Sequence, residues 1–330
     1  MLLSIALLPA GCEKKAHLVE QRLLQFGTII DITLIHPDLA KAEWALSEIE
    51  QQLATYRNQW HAWEDSDLTR FNHRLASSKS TDIPASLNEL IRLSQGYYER
   101  SQHLFNPAIG KLIAAYGFHG SSKPDTELIK TLRQDIPTMP DLVIRDGQAQ
   151  STNPALQLDF GGIAKGYALD RISDFLHQQG FEHFLINAGG DLQVSGDKMG
   201  KEWRIAIQNP FRPGTIAGIN LSGQQALFTS GNYQRYYRRG DKIIHHIIDP
   251  RTGAPSIRIS SATVMASDPV LADVAATSLM IGGLENHRSL AESLGIDDYL
   301  IITDDEQIFV TRSFANKLEW ISDLPVSIID

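Results

Sequence analysis

The sequence contains a single cysteine, no long apolar run and no excess of positive charge. Because Cys12 is the only cysteine among 330 residues, an intrachain disulfide is excluded. The apolar run at residues 1–10 is too short to span a bilayer, which needs around 20 apolar residues, and no later run is long enough either. Acidic residues number 39 against 30 basic ones, a net charge of -9, so the basic surface typical of nucleic-acid-binding proteins is not expected.

The sequence also lacks low-complexity tracts and linkers rich in proline, glycine or serine. Its length would allow two domains of ordinary size, but no linker divides the chain into separate blocks. A hydrophobic content of 42% and a charged content of 21% are typical of a soluble globular protein with a substantial core. We therefore predict one compact unit.

Apolar periodicity predicts strands and helices mixed along the chain. Residues 24–35 alternate like a strand, whereas residues 38–56 and 84–98 show the spacing of amphipathic helices. Residues 155–159 are predicted as a strand, followed by a helix at residues 163–179. Further predictions are short strands at residues 183–188, 191–195, 203–208, 216–221, 226–230, 260–266, 299–303 and 307–311, a hairpin that joins residues 233–237 to 242–248, and a helix that carries Asp273 and Thr277. This pattern predicts the α+β class.

Two glycine pairs follow predicted strands and suggest a shared binding edge. In residues 156–170 (LQLDFGGIAKGYALD) a glycine turn leads into a helix, where backbone amides, the helix N-terminus and Lys165 could attract an anion. Asp159 opposes this role unless it holds a ribose, a ring nitrogen or a metal. The spacing fits neither the Walker pattern nor the Rossmann fingerprint, which disfavours nucleotide binding of those types. The second pair, Gly189-Gly190, follows another apolar run, and the alternative for either pair is an ordinary tight connection.

The C-terminal third brings a candidate base and oxygen ligands into one short stretch. Imidazole titrates near neutral pH, so His245 or His246, close to an Asp-Pro turn, is a candidate proton acceptor for a hydroxyl nucleophile. Asp273 and Thr277 are spaced i, i+4 on one helical face, where they offer oxygen ligands to a hard cation. The alternatives are a histidine packed in a strand and an aspartate that is solvated or caps a helix.

The N-terminal segment resembles a bacterial lipobox. The apolar run MLLSIALLPA ends in Gly11-Cys12, which predicts a lipid on Cys12 as the only attachment to a membrane. We therefore predict that residues 1–20 form a lipoprotein signal and tether, and that the domain at residues 21–330 is held on the periplasmic side of the bacterial cytoplasmic membrane. Pro9 stands where leucine is usual, and no basic residue precedes the run. The alternative is a frayed cytosolic terminus.

Taken together and in this order, these segments resemble the ApbE family, the FAD:protein FMN transferases. Each block is short, but the series extends from about residue 20 to about residue 280. The blocks are Phe26-Gly27-Thr28, residues 66–72 (SDLTRFN), Phe105-Asn106-Pro107, and residues 159–170, 187–191, 229–233, 246–253 and 273–277. The resemblance implies a single unit with tandem duplicated α+β motifs, related to the T-fold.

The resemblance also implies a reaction, a Mg²⁺-dependent cleavage of the FAD pyrophosphate. The FMN moiety passes to a threonine hydroxyl of an acceptor flavoprotein with a Ser/Thr-Gly/Ala-Ala-Thr type site, and AMP is released. By this resemblance His246 removes the proton from the attacking hydroxyl, and the cation is bound by Asp273, Thr277 and the Gly162 backbone carbonyl. FAD, as substrate, would contact Phe26, Trp63, Leu104, Phe105, Asn106, Asp159, Lys165 and Ile247.

Two features depart from the family pattern. Asn106 stands where members commonly have aspartate, so a charge-dependent role at this position becomes a neutral hydrogen bond. Residues 55–65 (TYRNQWHAWED) intervene where many members have a shorter segment. Tyr56, Trp60 or Trp63 could stack on the flavin, or the tryptophans could be ordinary core residues.

These departures leave alternative functions open. An FAD pyrophosphatase would use water in place of the threonine hydroxyl and yield FMN and AMP. A non-catalytic periplasmic flavin-binding lipoprotein would need no proton acceptor, which the presence of His246 disfavours. Residues 260–263 (SSAT) are similar to an acceptor site, but they are predicted to lie in a buried strand, so self-flavinylation is not expected.

Overall fold

Strands with alternating apolar residues build a nine-stranded sheet that organises the molecule. The computed structural model describes residues 16–77, 80–120, 123–240 and 242–329. Within these residues the helices are α1 (Leu39–Trp60), α2 (Asp67–Ser77), α3 (Ala85–Arg100), α4 (Gly110–Ala115), α5 (Thr126–Leu132), α6 (Ala164–Gln178), α7 (Pro269–Leu294) and α8 (Arg312–Ala315). The strands are β1 (His17–Gln25), β2 (Thr28–His36), β3 (Thr81–Asp82), β4 (Leu142–Arg145), β5 (Gln148–Ser151), β6 (His183–Ala188), β7 (Asp191–Ser195), β8 (Trp203–Gln208), β9 (Thr215–Leu221), β10 (Gln225–Gly231), β11 (Tyr236–Arg239), β12 (Lys242–His245), β13 (Ile248–Asp249), β14 (Ala254–Pro255), β15 (Ile259–Ala266), β16 (Asp298–Thr303), β17 (Ile308–Thr311), β18 (Leu318–Trp320) and β19 (Val326–Ile329).

The large sheet consists of two four-stranded antiparallel halves joined edge to edge. Its order is β1-β2-β6-β7-β10-β15-β16-β17-β19, and β19 extends it as a parallel edge strand. In the first half α6 lies in the chain between the hairpins β1–β2 and β6–β7, and in the second half α7 lies between β15 and β16. The halves meet where β7 pairs with β10. The fold therefore belongs to the predicted α+β class, and its two similar halves agree with the tandem arrangement that the family resemblance implies.

The two faces of the sheet bury different cores. In β2 the side chains of Ile30, Ile32 and Leu34 are fully buried at every second position and pack with helices α1, α6 and α7. On the opposite face the small sheet β18-β9-β8 covers apolar residues that include Val194 and Leu300. Because both faces are buried, a shift of register by one residue would exchange the two sets of side chains.

Helices α6 and α7 touch because Gly166 has no side chain. A Cβ atom on Gly166 would lie 2.4 Å from the carbonyl oxygen of Pro269 and 2.9 Å from Cβ of Asp273. The start of α7 is fixed by Asp268, whose carboxylate accepts a hydrogen bond of 2.8 Å from the Val270 amide. The first turns of the two helices are therefore held side by side, and Asp273 points to the start of α6.

Two predicted elements differ from the structure. Residues 24–35 belong to two strands, β1 and β2, because the chain reverses at Phe26-Gly27, where φ is 52° and 70°. Residues 155–159 form no regular strand. Leu158 pairs instead with the side chain of Asn72, which donates to its carbonyl oxygen and accepts from its amide, each at 2.9 Å. A side chain thus takes the place of a neighbouring strand.

The other predicted elements are present. β6, β7 and β8 have the predicted bounds, whereas α1 extends to Trp60, one turn beyond the prediction. β1 begins at His17, inside the segment predicted as a tether, while residues 1–15, including Cys12, lie outside the described part of the chain. In the described part of the chain, no helix combines the length and the apolar character that crossing a membrane requires.

Candidate active site

Asp159 forms a buried pair with His119. The Oδ2 atom of Asp159 lies 2.7 Å from Nε2 of His119, and the two side chains are 9% and 7% exposed. The other carboxylate oxygen accepts a hydrogen bond of 2.8 Å from the Gly161 amide. Burial raises the pKa of Asp159, but the hydrogen bond and charge of His119, the Gly161 amide and the charge of Arg235 together lower it below its ordinary value. Asp159 is therefore held as a carboxylate.

Trp63 lies against this pair together with Arg235. The rings of Trp63 and His119 are stacked, with centroids 5.3 Å apart, and the guanidinium carbon of Arg235 lies 5.2 Å from the Trp63 ring centre. Arg235 also donates a hydrogen bond to the carbonyl oxygen of Phe118. Burial lowers the pKa of Arg235, while the charge of Asp159 opposes this shift. An aromatic surface, a carboxylate and a guanidinium thus meet, a combination suited to binding a planar heterocycle.

His246 follows β12 and lies beside the backbone of Arg235. Its Nδ1 atom is 3.3 Å from the Arg235 carbonyl oxygen, so the neutral tautomer that fits carries its proton on Nδ1 and keeps the lone pair on Nε2. Burial and then the charge of Arg235 lower the pKa of His246 to about 3, which keeps the ring neutral. His245 is buried instead, and its Nε2 atom lies 2.8 Å from the Ser256 carbonyl oxygen. Both ring nitrogens of His245 are engaged in hydrogen bonds, whereas Nε2 of His246 has no hydrogen-bond partner among the described residues.

A buried group of charges surrounds the start of α6. Lys165 is paired with Asp191, whose other carboxylate oxygen accepts a hydrogen bond of 2.9 Å from the Thr229 amide. Burial lowers the pKa of Lys165, but Asp191 and Asp273 raise it above its ordinary value. Burial, reinforced by Asp191, raises the pKa of Asp273 to about 7 against the opposing charge of Lys165. One lysine thus faces two buried carboxylates, which together attract a cation.

The glycine turn before α6 differs from the predicted anion site. The amides of Ile163 and Ala164 donate to the Phe160 carbonyl oxygen at 3.0 and 2.8 Å. The Gly166 amide donates to Oδ2 of Asp273 at 2.9 Å. The anion at this helix start is therefore the carboxylate of Asp273, which the partial positive charge of the helix N-terminus stabilises.

The three residues predicted to bind metal lie close together. A Cβ atom on Gly162 would lie 3.2 Å from Oγ1 of Thr277 and 3.3 Å from a ring carbon of Phe105. Oγ1 of Thr277 is also 3.1 Å from Oγ of Ser230, and Asp273 precedes Thr277 by one helical turn. No three His, Cys, Asp or Glu residues in the described ranges form a metal-binding group. The predicted set contains one such residue, so its remaining ligands would be a hydroxyl, a carbonyl and substrate oxygens.

Asn106 shapes the loop in which it lies. Its side-chain amide donates to the Pro137 carbonyl oxygen at 2.8 Å, and its side-chain oxygen accepts from the Ala108 amide at 3.1 Å. An ionised aspartate could accept the second bond but could not donate the first. The departure from the family pattern at this position is thus matched by a partner that needs a donor.

Three further residues predicted to line the FAD site have few exposed atoms. Leu104 is buried, and its Cδ1 atom is 3.1 Å from the position of a Cβ on Gly282. Ile247 is buried in the loop after His246, and its carbonyl oxygen accepts from the Ser256 amide at 3.0 Å. Phe26 is half-buried at the turn between β1 and β2. Their side chains support the site more than they offer open surface to a ligand.

Among the candidate aromatic residues, Trp63 alone combines exposure with proximity to Asp159. Trp60 is buried, donates from Nε1 to the Ser86 carbonyl oxygen at 3.0 Å, and stacks on Tyr56 with ring centroids 4.5 Å apart. Trp63 is 41% exposed. Trp60 and Tyr56 therefore act as core residues, and Trp63 is the residue placed to stack on a flavin.

Two cavities differ in their relation to these residues. A cavity of about 500 Å³ is bordered by Trp63, His119 and Gln157 and reaches the buried Asp159 pair. A larger one of about 780 Å³ lies between residues 249–259 and the second half of α7, and it includes none of the predicted site residues. We place the site at the smaller cavity, because Trp63 and His119, the partner of Asp159, border it.

The model of a protein family described as the ApbE family matches residues 26–300, which is most of the chain. The chain belongs to the ApbE family. The predicted family and the predicted enzyme class, a transferase, are thereby confirmed. Relatives of this chain carry the name FAD:protein FMN transferase, which describes transfer of FMN from FAD to a protein.

Individual relatives extend this similarity to more than nine-tenths of this chain. An FAD:protein FMN transferase of Rhodobacter capsulatus is 34% identical over 94% of this chain, which spans 61% of that relative. A Vibrio cholerae FAD:protein FMN transferase is 32% identical, with 92% of this chain and 93% of the relative covered. Among solved structures, the flavin transferase ApbE of Vibrio cholerae matches with a TM-score of 0.80, 28% identity and coverage of 92% of this chain and 100% of that one. The ApbE protein of Thermotoga maritima matches with a TM-score of 0.82, 25% identity and coverage of 91% and 99%.

Three residues of the site were not predicted from the sequence. Asp191 stands at the end of a motif block, but the block alone gave no reason to pair it with Lys165. Arg235 and His119 lie in segments without a recognisable motif, and only the folded chain brings them to Trp63 and Asp159.

Proposed function

We propose that this chain transfers the FMN moiety of FAD to a threonine hydroxyl of an acceptor flavoprotein and releases AMP. The arrangement of His246, Asp273 and Thr277 around the start of α6 carries this proposal. A bond forms between the threonine oxygen and the phosphorus of the FMN half. The bond from that phosphorus to the bridging oxygen breaks, AMP leaves with the electron pair, and the hydroxyl proton passes to Nε2 of His246.

The chemistry of the donor set fits Mg²⁺. Asp273 is a buried carboxylate whose pKa is raised to about 7 because burial penalises its charge, and a bound cation would favour its ionised form. Asp273, the Thr277 hydroxyl and the Gly162 carbonyl would hold the ion. When bound, Mg²⁺ neutralises charge that develops on the pyrophosphate.

The remaining residues of the site orient the flavin and its phosphates. Trp63 offers its ring face to the isoalloxazine, as the single partly exposed aromatic beside Asp159. Asp159 is ionised and can accept a hydrogen bond from a ring N–H. Arg235 is placed between Trp63 and His246, where its charge favours the anionic pyrophosphate and keeps His246 neutral until the hydroxyl proton arrives.

The hydroxyl comes from a second protein. Thr263, in the segment similar to an acceptor site, is fully buried in β15, and its Oγ1 atom lies 2.9 Å from Oγ1 of Thr229. Access to a phosphorus would require that the central sheet open. Labelling of this chain by itself is therefore not part of the proposal.

Incubation with FAD, Mg²⁺ and a soluble acceptor domain, followed by in-gel flavin fluorescence, tests the function. The matched control is the same domain with its acceptor threonine replaced by alanine. Fluorescence on the first domain and not on the second supports the transfer. Free FMN and AMP without labelled protein would identify an FAD pyrophosphatase, and intact bound FAD would identify a flavin-binding lipoprotein; either result contradicts the proposal.

We also propose that a lipid on Cys12 holds the enzyme at the periplasmic side of the cytoplasmic membrane. The motif of an apolar run ending in Gly11-Cys12 supports this, and no block of the family pattern precedes Phe26. Metabolic labelling with a fatty acid should mark the wild-type chain, while Cys12→Ser should be unlabelled, soluble and active. An unlabelled wild-type chain with an intact Met1 would contradict the anchor and leave the transferase proposal standing.

A further inference from the structure

The hairpin β11–β12 leads directly into the site and presents two different faces. Strand register pairs Tyr237 with Ile244 and Arg239 with Lys242, so positions 235, 237 and 239 share one face with positions 242, 244 and 246. Contacts agree with this, since Tyr237 and His246 both pack near Phe118, with ring centroids 5.6 and 6.2 Å from it. Arg239 therefore points to the same side as His246, and Arg238 points to the opposite side.

The hairpin is basic, whereas the molecule as a whole is acidic. Residues 235–245 contain three arginines and one lysine against one aspartate, in a chain of net charge -9. Arg238 and Arg239 are exposed, and neither forms an ion pair with another described residue. Exposed arginines without ion-pair partners on a hairpin that leads into the site favour an anionic ligand.

Tyr237 and Ile244 on this face pack against the apolar cluster around Phe118, which leaves Arg239, exposed at the outer end of the face, as its open part. We propose that this outer end, with Arg239 as its charged contact, docks an acidic segment of the acceptor protein. The proposal rests on the proposed function, because it assigns the route by which the acceptor hydroxyl arrives. The proton acceptor must face the incoming hydroxyl, so the surface next to His246 is where the acceptor polypeptide lies. Cα atoms of Arg235 and Arg239 are separated by four strand positions, roughly 13 Å. An acidic side chain several residues from the acceptor threonine therefore reaches Arg239.

The charge of Arg239, unlike that of Arg235, is not required by FAD itself. The flavin and pyrophosphate groups are accounted for by Trp63, Asp159, Arg235 and the Asp273 cluster deep in the site. Arg239 lies at the outer end of β11, beyond Tyr237, and touches none of these residues in the structure. Its charge is therefore available to a macromolecular partner.

The test measures flavin transfer to synthetic peptides that carry an Asp followed by Ser-Gly-Ala-Thr, flanked by glutamates or, in a twin, by glutamines. The wild-type chain should show a lower KM for the acidic peptide, and this preference should weaken as salt is added. Arg239→Glu should raise the KM for the acidic peptide roughly tenfold while kcat at saturating peptide and the Kd for FAD stay within about twofold. Arg239→Glu should instead have its lowest KM for a third peptide, in which lysines replace the flanking glutamates.

Two arginines serve as controls. Arg238→Glu, on the opposite face, should raise the KM less than Arg239→Glu, and Arg145→Glu, on the exposed hairpin β4–β5, should leave it unchanged. Equal KM values for Arg239→Glu and Arg145→Glu, or no preference of the wild-type chain among the peptides, would overturn the docking surface. The docking surface would also be overturned if Arg239→Glu lost binding to anionic phospholipid vesicles while its KM for the acidic peptide stayed unchanged, since the hairpin would then contact a membrane. Failure of the wild-type chain to label any peptide or acceptor domain would contradict the proposed function itself.

Discussion

The replacement Gly166→Ala tests the packing that places Asp273. A methyl group at this position would lie 2.4 Å from the Pro269 carbonyl oxygen and 2.9 Å from Cβ of Asp273, both closer than real Cβ atoms approach. Pro269 begins α7 and cannot shift without moving the helix. The substitution should therefore push α7 away from α6 and displace Asp273 from its 2.9 Å hydrogen bond with the Gly166 amide.

Two opposing effects determine how much Gly166→Ala changes the free energy of unfolding. Alanine is intrinsically better than glycine in a helix interior by about 1 kcal/mol. Overpacking of a close contact costs about 1 to 3 kcal/mol. The matched control is Gly96→Ala in α3, where a Cβ atom meets nothing within 4 Å, so only the first effect remains. The free energies of unfolding of the two variants should thus differ by roughly 1 to 3 kcal/mol, with Gly96→Ala the more stable.

Thermal and denaturant unfolding of both variants, followed by circular dichroism, gives this difference. FAD turnover measured at increasing Mg²⁺ concentration gives the effect of each substitution on activity and on the Mg²⁺ requirement. A displacement of a reacting or binding group by about 1 Å can cost up to roughly 10²-fold in rate, so Gly166→Ala should lose activity and need more Mg²⁺, while Gly96→Ala behaves as wild type. Equal stability and equal activity of the two variants would refute a close contact at Gly166 that positions Asp273.

Three further predictions concern individual side chains. Because the pKa of Asp273 is raised from 3.8 to about 7, its contribution to the stability of the metal-free protein is present at acidic pH and lost as pH rises through about 7. Mg²⁺ should therefore raise the Tm more above pH 7 than below it. Asp273→Asn should remove the dependence of the Tm on pH and on Mg²⁺ and should abolish turnover. His246→Ala should lower kcat by roughly 10² to 10⁴ with FAD still bound, whereas His245→Ala should chiefly lower the Tm; a larger loss of kcat at His245 would exchange their roles. Trp63→Ala should weaken FAD binding by about 0.5 to 1.5 kcal/mol in a fluorescence titration, Trp63→Phe should retain most of it, and an unchanged Kd for both would exclude the stack.

Local periodicity predicted those elements whose side chains face one core. β6 alternates in burial, whereas all five residues of β7 are buried and only its polar and apolar residue types alternate. β6, β7 and β8 have the predicted bounds, and α6 begins one residue after its predicted start. The break between β1 and β2 was missed because Phe26 adopts a positive φ that a bulky residue rarely takes. Residues 155–159 were assigned to a strand because their apolar pattern is strand-like, but the partner that satisfies Leu158 is Asn72, 86 positions earlier. No local window contains that contact.

The site was predictable only where a motif carried it. Asp273 and Thr277 were predicted as cation ligands from their i, i+4 spacing, and the family resemblance added Gly162. The structure shows why these residues meet, since Gly166 allows α6, which follows Gly162, to touch α7, which carries Asp273 and Thr277. The partners of Asp159 and Lys165 could not be predicted in the same way. His119 and Asp191 reach them through tertiary contacts, and their effect on pKa values depends on burial, which composition does not reveal.

The junction between the two halves of the sheet makes the site a shared property of both. Lys165 and Asp191 come from the first half and pair with each other, whereas Thr229 and Asp273 come from the second half. Two hydrogen bonds cross the boundary, from the Thr229 amide to Asp191 and from the Gly166 amide to Asp273. Neither half by itself holds a complete set of charges. A chain cut between β7 and β10 would consequently yield two inactive fragments. Flavin transfer would require that both fragments fold and associate.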